Sequence, residues 1–421
     1  MSRFAQRTQR TGVVDDFLPN VSRPEKYLRN SEGMPWVRPS DWLNTTPVAA
    51  TEICFLYAVY QPDSNFLQFS VTTSSGNFTV DWGNGTSNSY ASGTSVAKQF
   101  LWASYGNLSA RGYRQARVRI TGNITGVNFN LRHASVMQSV SLTNTSAATN
   151  MNSMFSGCYN LQSVSLPNTA AVTDMIQMFS GCYSLQSVSL PNTAAVTDMS
   201  FMFDTCASLQ SVSLPNTSAA TNMSFMFSGC YSLQSVSLPN TAAVTDMTQM
   251  FGSCYSLQSV SLTNTSAVTN MNSMFSGCSS LQSVSLTNTA AVTDMGGMFS
   301  SCSSLQSVSL PNTAAVTDMG GMFSSCYNLQ SVSLANTAAV YNMAQMFNNC
   351  YGLQSVTGLS GASAYGSGTY TSMFNNCPSP TLCSTRITNC AKKQKMNIPI
   401  LLMVGIGLIQ KKKHGHTLSY Q

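Results

Sequence analysis

The side chains of this 421-residue sequence that could do chemistry stand in columns. Cys158, Cys182, Cys206, Cys230, Cys254, Cys278, Cys302, Cys326 and Cys350 recur every 24 residues. Each thiol has a translational equivalent rather than a designated partner, so the column reads as buried free thiols acting as small hydrophobes, not as a disulfide framework. Cys377, Cys383 and Cys390 are loosely spaced with no His nearby, and no metal site is expected of them. Asp174, Asp198, Asp246, Asp294 and Asp318 share one position of the period, which Asn150, Asn222, Asn270 and Asn342 fill in other copies. A carboxylate column could hold calcium between rungs. Asn performs a turn role equally well, so side-chain capping of local backbone N–H groups is the preferred reading.

Catalytic constellations are missing from the sequence. It has no nucleophile elbow, phosphate-binding loop, H-E-x-x-H helix or CxxC pair. Of its three His, His133 sits beside Arg132 at the entrance to the repeats, and the other two fall in the last eight residues. The expectation is a non-enzymatic protein with no cofactor and no metal. The one recognition surface in the sequence is an outward ladder of Gln162, Ser165, Gln186, Ser189, Gln210, Ser213, Gln234, Ser237, Gln258 and Ser261. Amides and hydroxyls on a flat uncharged sheet suit saccharides, and weak contacts repeated along a rigid face gain by multivalency. A merely solvated outer face is the competing reading.

Those columns need a scaffold with a period of 24. A Leu, or Met in the first copy, stands at 137, 161, 185, 209, 233, 257, 281, 305, 329 and 353. A period in this range marks a solenoid. Within one copy Leu161, Val164 and Leu166 turn three apolar side chains inward from a short strand, while Gln162 and Ser165 point out. Val172 and Met175 turn inward again, and Met178-Phe179 with Cys182 close the coil through a short helical or 3₁₀ turn. Asn168 and its equivalents Asn144, Asn192, Asn216, Asn240, Asn264, Asn288, Asn312 and Asn336 are expected to form a hydrogen-bonded ladder.

Ahead of the array, residues 1–50 read as an extended arm with Trp36 and Trp42 as anchors for a neighbouring subunit, or as a flexible leader. Residues 51–133 read as a β-sandwich-like module, from the runs ICFLYAVY, FLQFSVTT, NFTVDW, SVAKQFLW and QARVRITG between turn-rich segments. Val80-Asp81-Trp82-Gly83-Asn84-Gly85 signals a hairpin, because Asn-Gly tolerates positive φ. The fold class is mainly β: this module, then a leucine-rich-repeat solenoid of about ten coils over residues 134–390.

Two resemblances follow from these motifs. The recurring Leu-Gln-Ser-Val-Ser-Leu, Val-Thr-Asp-Met and Met-Phe-x-x-Cys resemble BspA-like leucine-rich repeats, which implies a right-handed solenoid presenting a parallel sheet, and surface attachment. NFTVDWGNG is similar to the Val-Asp-Trp-Gly-Asp-Gly hairpin of β-sandwich modules related to polycystic-kidney-disease domains. Asn84 stands where the second Asp would be. RPSDWL, Asp63-Ser64-Asn65-Phe66 and the RGYRQARV of residues 111–118 look like the head region of structural or tail-associated proteins of marine bacteriophages.

Charge divides the chain by region. Residues 1–133 carry 13 Lys+Arg against 8 Asp+Glu, residues 134–385 none against 6, and residues 386–421 carry 7 against none. An array without cations is a poor partner for nucleic acid. The N-terminus lacks the apolar core of a secretory signal. The tail of residues 391–421 is atypical, basic and apolar. Its Ile398–Ile409 run of 12 residues is too short to span a bilayer, and a membrane anchor, a cap with a solvated basic end and a frameshift all stay open for it. The leading expectation is a phage tail- or fibre-associated structural and attachment protein in a virion assembled in the host cytoplasm. Its arm would meet other virion or surface proteins, its solenoid a host-surface glycan or protein, with a homo-oligomer among the arrangements allowed. The alternatives are a BspA-like adhesin at a cell surface and a self-assembling filament subunit.

Overall fold

The computed structural model describes residues 40–45, 52–61, 65–110, 112–129, 137–142, 148–262, 264–286, 288–359, 372–378 and 381–382. Trp36, His133, Asn144, Cys383, Cys390 and the tail from residue 391 lie outside these, as does the side chain of Ser261. The module contains β1 (Glu52–Val59), β2 (Asn65–Thr73), β3 (Phe78–Asp81), β4 (Ser87–Tyr90), β5 (Ser95–Phe100), β6 (Arg114–Thr121) and β7 (Ile124–Phe129). One antiparallel sheet runs β1-β6-β3-β4 and a second runs β5-β2-β7. Alternating apolar side chains fill the space between them. Phe55, Phe69, Phe78, Trp82 and Phe100 are buried, with Trp82 edge-on to Phe100 at 6.1 Å.

The hairpin forms where the sequence places it, by a different turn. Asp81 pairs with Ser87, so residues 82–86 make the loop, closed by Trp82 N–H to Thr86 O at 3.0 Å. Gly83 and Gly85 carry the positive φ, and Asn84 does not. A Cβ on Gly83 would lie 2.4 Å from the Arg117 carbonyl oxygen, so only Gly fits. The Asn84 amide oxygen accepts from Thr86 N–H and Oγ1–H, a local cap of the turn.

The module and the array share one sheet. β8 (Met137–Leu142), the strand of the first coil, pairs antiparallel with β1 on one side and parallel with β9 (Ser163–Ser165) on the other. The order continues through β10 (Ser187–Ser189) and β11 (Ser211–Ser213), giving eight hydrogen-bonded strands across the junction. An unfinished solenoid exposes both a strand edge and its apolar interior, and β1 covers that edge. The later strands β12 (Ser235–Leu238), β13 (Ser259–Leu262), β14 (Ser307–Leu310), β15 (Ser331–Leu334), β16 (Ser355–Thr357) and β17 (Thr381–Leu382) pair in the same parallel fashion in two further stretches. A second line of parallel bridges joins nine rungs, from Asn150 to Asn342.

Stacking is done by the residues the period selects. Leu185, Val188, Leu190, Val196, Met199, Met202, Phe203 and Cys206 of one coil are all buried. The Phe rings form a spine from Phe155 to Phe374, with neighbours stacked at 5.3 to 5.6 Å. Cys thiols close the same layer, as Cys230 Sγ–H donates to Phe203 O at 3.2 Å and Cys254 to Phe227 O at 3.1 Å.

The coil does not close through a helical turn. Met178, Ser180 and Cys182 donate N–H three residues back, to Met175, Gln177 and Phe179, while the intervening Gln177, Phe179 and Gly181 donate to Ser200, Met202 and Asp204 of the next coil. Left-handed residues at Gln177 (φ 56) and Gly181 (φ 76) turn alternate amides outward, which a helix cannot do. Overlapping turns thus satisfy the backbone partly within one coil and partly with the next.

The expected Asn ladder is also corrected. Asn192, Asn240, Asn264, Asn288 and Asn336 are exposed. Asn192 Nδ2–H reaches Pro167 O of the preceding coil at 3.2 Å, but other side chains of the column bond locally, as Asn216 Oδ1 accepts Ser218 N–H and Asn264 Oδ1 accepts Ser266 Oγ–H. The ladder runs through the next residue, Thr. Thr217, Thr241 and Thr265 donate Oγ1–H to the backbone carbonyls of Asn240, Asn264 and Asn288 at 2.6, 3.0 and 2.9 Å; Thr169, Thr193 and Thr289 do the same to Asn192, Asn216 and Asn312, while Thr313 and Thr337 donate to the carbonyls of Ala335 and Gly358. These hydroxyls are buried, and an exposed Asn side chain cannot substitute for them.

Candidate recognition face

The outer face of the parallel sheet is built by the spacing Leu-Gln-Ser-Val-Ser-Leu. Two residues separate Leu185 from Val188, so both Gln186 and Ser187 face away from the core, and Ser189 follows. The stripe is therefore three columns wide, Gln, Ser and Ser. Parallel register aligns each column: Ser187 with Ser211, Ser189 with Ser213, Ser235 with Ser259. Spacing along the axis is one inter-strand step, about 4.8 Å. No charge lies on it.

The structure places the ten candidate residues unequally. Ser165, Ser189, Ser213, Gln234, Ser237 and Gln258 are exposed, and Gln186 and Gln210 are half-buried. Ser261 aligns with Ser237 in the backbone register, its side chain outside the described set. Gln162 is a correction. It is only 1% exposed, and its Nε2–H donates to Gln138 Oε1 at 3.1 Å. The end of the arm covers this part of the sheet: Thr45 Oγ1 lies 3.4 Å from Ser139 Oγ, and Gln138, Ser139 and Ser141 are buried. The same segment docks on its own chain. Asp41 and Leu43 bond Gln115 and Ala110, and Trp42 is buried rather than presented to a neighbour.

Two flanking features are not marked by the apolar period. The first Ser column, with Ser211, Ser235, Ser259, Ser283 and Ser307, is exposed beside the Gln column. A column of surface tyrosines follows the Cys column by one residue. Tyr159 stacks on Tyr183 at 5.1 Å, Tyr231 on Tyr255 at 5.0 Å and Tyr327 on Tyr351 at 5.6 Å, with 40 to 58% exposure from Tyr183 to Tyr351. The signal was legible as Cys-Tyr, repeated in six copies.

The other chemical columns are committed to structure. Asp174, Asp198, Asp246, Asp294 and Asp318 each accept, through Oδ1, the N–H two residues ahead, at 2.7 to 3.0 Å. Asn150, Asn222, Asn270 and Asn342 make the same turn. Asn amides also donate to neighbouring carboxylates, Asn150 to Asp174, Asn222 to Asp198 and Asn342 to Asp318. Interleaved amides thus replace part of the repulsion with hydrogen bonds. Burial pushes the thiols up, Cys158 and Cys326 to about 12, so these thiols stay protonated at neutral pH and are poor nucleophiles. Among the described residues no group of three or more His, Cys, Asp or Glu is placed to hold a metal ion, and no helix is long and apolar enough to cross a membrane.

Comparison with known proteins follows the array. No curated protein matches the chain. Among solved structures, a leucine-rich repeat protein from Eubacterium ventriosum is similar, at 15% identity and a TM-score of 0.33, over 56% of this chain and 81% of that one. A TLR13–ssRNA13 complex is similar at 16% identity and a TM-score of 0.20, over 54% of this chain and 47% of that one. A family described as "Mycoplasma protein of unknown function, DUF285" matches residues 126–236, 221–326, 245–358 and 278–380. This match begins after the motifs that look like phage proteins, and lends them no support. Overlapping matches that run through more than half of the sequence place it: the chain belongs to the DUF285 family.

Proposed function

We propose that the chain is a non-enzymatic attachment protein whose solenoid presents the Gln/Ser/Ser stripe to a neutral polar surface, a glycan before a protein. The observation that carries this is the stripe itself, three aligned columns of amides and hydroxyls in parallel register, exposed at Gln234, Ser235, Ser237, Gln258 and Ser259. Sugars offer alternating hydroxyl donors and acceptors, which Gln and Ser match without charge. Each contact is weak, and a rigid ladder adds them without further ordering cost. The nucleophiles and carboxylates that an enzyme would use are occupied in packing and turns, which supports the non-enzymatic reading. A cellular surface is favoured over a virion as the carrier. The family match and the BspA-like repeats cover the array, whereas placement in a phage rests on short motifs in the arm and head.

A panel of immobilised neutral and acidic glycans tests this. Binding to neutral glycans is expected, unchanged as salt rises from about 50 to 500 mM, because uncharged contacts are not screened. Binding only to acidic glycans, abolished by salt, would overturn the proposal.

A further inference from the structure

One coil breaks the copying on its outer surface. The coils on either side read Ser180-Gly181-Cys182-Tyr183 and Ser228-Gly229-Cys230-Tyr231, and this one reads Asp204-Thr205-Cys206-Ala207. Its inward residues Phe203 and Cys206 keep their buried places, so stacking does not require the change. Ala207 removes one ring from the exposed tyrosine column. Tyr159 and Tyr183 stack on one side of the gap at 5.1 Å, Tyr231 and Tyr255 on the other at 5.0 Å, with rings 9° and 8° from parallel. The faces of Tyr183 and Tyr231 therefore look at each other across two ladder steps, about 10 Å. The Tyr183 hydroxyl is within electrostatic reach of both Tyr231 and Asp204. Asp204 is half-buried at the margin of the gap, in an array with no Lys or Arg from 134 to 385.

We propose that the notch over Ala207, walled by Tyr183 and Tyr231 with Asp204 beside it, binds a quaternary ammonium group such as the head of choline. A cation midway between the walls sits about 5 Å from each ring centroid, inside the roughly 6 Å reach of a cation–π contact. A trimethylammonium group donates no hydrogen bond, so two ring faces and one carboxylate are the partners its chemistry can use. A neutral group of the same shape gains nothing from Asp204. The other gap in the column, at Ser279 and Ser303 between Tyr255 and Tyr327, spans three steps, about 15 Å. No small cation touches both its walls, and Ser276 and Ser300 stand there at the position of Asp204. The notch lies off the Gln/Ser stripe, so this inference does not depend on the function proposed above.

Titration calorimetry of the full chain tests it with choline, phosphocholine and 3,3-dimethylbutan-1-ol, the uncharged carbon analogue. Choline and phosphocholine are expected to bind, and the alcohol about tenfold or more weakly. Ala207→Tyr and Asp204→Ser each restore a residue that neighbouring coils carry, so the coil is expected to keep its fold and its melting transition. Ala207→Tyr should abolish binding, and Asp204→Ser should weaken it about tenfold. Phosphatidylcholine vesicles that sediment the wild type but not Ala207→Tyr would assign the group to a lipid headgroup. Binding of phosphocholine without binding of vesicles would assign it to a free or glycan-linked choline. No binding of either, equal binding of the alcohol, or binding that survives Ala207→Tyr would overturn the proposal.

Discussion

Replacing Thr241 with Val isolates the buried hydroxyl ladder from packing. The two side chains have nearly the same shape, so no cavity forms, and the change is the loss of one O–H donated to the Asn264 carbonyl at 3.0 Å. Thr241 is fully buried, so water does not replace the lost donor. A net hydrogen bond is worth about 0.5–1.5 kcal/mol and a buried polar group left unpaired costs about 1–3 kcal/mol, which puts Thr241→Val at about 1–2 kcal/mol. Thr193, Thr241 and Thr289 stand two coils apart, about 10 Å, so their Val variants should add to about 3–6 kcal/mol. Urea unfolding followed by circular dichroism measures this, with the midpoint falling and the slope unchanged. Asn240→Ala, on the exposed neighbour, should stay within about 0.5 kcal/mol. A neutral Thr241→Val beside a costly Asn240→Ala would refute the reasoning and reinstate an Asn ladder.

Two further outcomes follow from the coil. Gln177 holds a left-handed backbone that Gly297 and Gly321 adopt in their own coils, so Gln177→Gly should raise stability by about 0.5–1 kcal/mol in the same urea experiment, where a loss would contradict the turn geometry. Burial raises the thiol pKa of the eight Cys from Cys158 to Cys326 above the ordinary thiol value near 9.0, so the unfolded chain ionises first as pH rises. Their contribution is intact below pH 9 and declines above it, by about 1.4 kcal/mol per pH unit for each thiol. Melting temperature should fall steeply between pH 9 and 11, and less steeply in a Cys230→Ala, Cys254→Ala variant. A flat profile would show that these thiols are not buried.

The array was legible because a solenoid repeats its core. Leu233, Met247, Phe251 and Cys254 recur at one interval, and inward residues with a fixed period leave little freedom in placing them. The turn Asp column was legible for a related reason, since Asn substitutes in a backbone cap but not in most carboxylate chemistry. Less could be read where two polar residues lie side by side. Asn-Thr recurs nine times at the 24-residue interval, and only the backbone path decides that Thr241 is buried and Asn240 exposed. Gln162 was misplaced because a repeat unit carries no information about what lies over its first copies, here the segment that contains Thr45. Left-handed Gln177 and Phe201 are invisible to propensity, because neighbouring coils over-determine a conformation that each residue alone disfavours.

The central claim is that the Gln/Ser/Ser stripe is the face that binds. The most direct measurement compares Ser237→Arg with Ala242→Arg in one binding assay against the glycan the wild type selects. Both residues are exposed and lie in the same coil, one on the stripe and one on the loop after it. The account predicts that Ser237→Arg loses binding by about tenfold or more while Ala242→Arg keeps it, with unchanged circular dichroism for both. Equal binding by the two variants, or loss confined to Ala242→Arg, would contradict it.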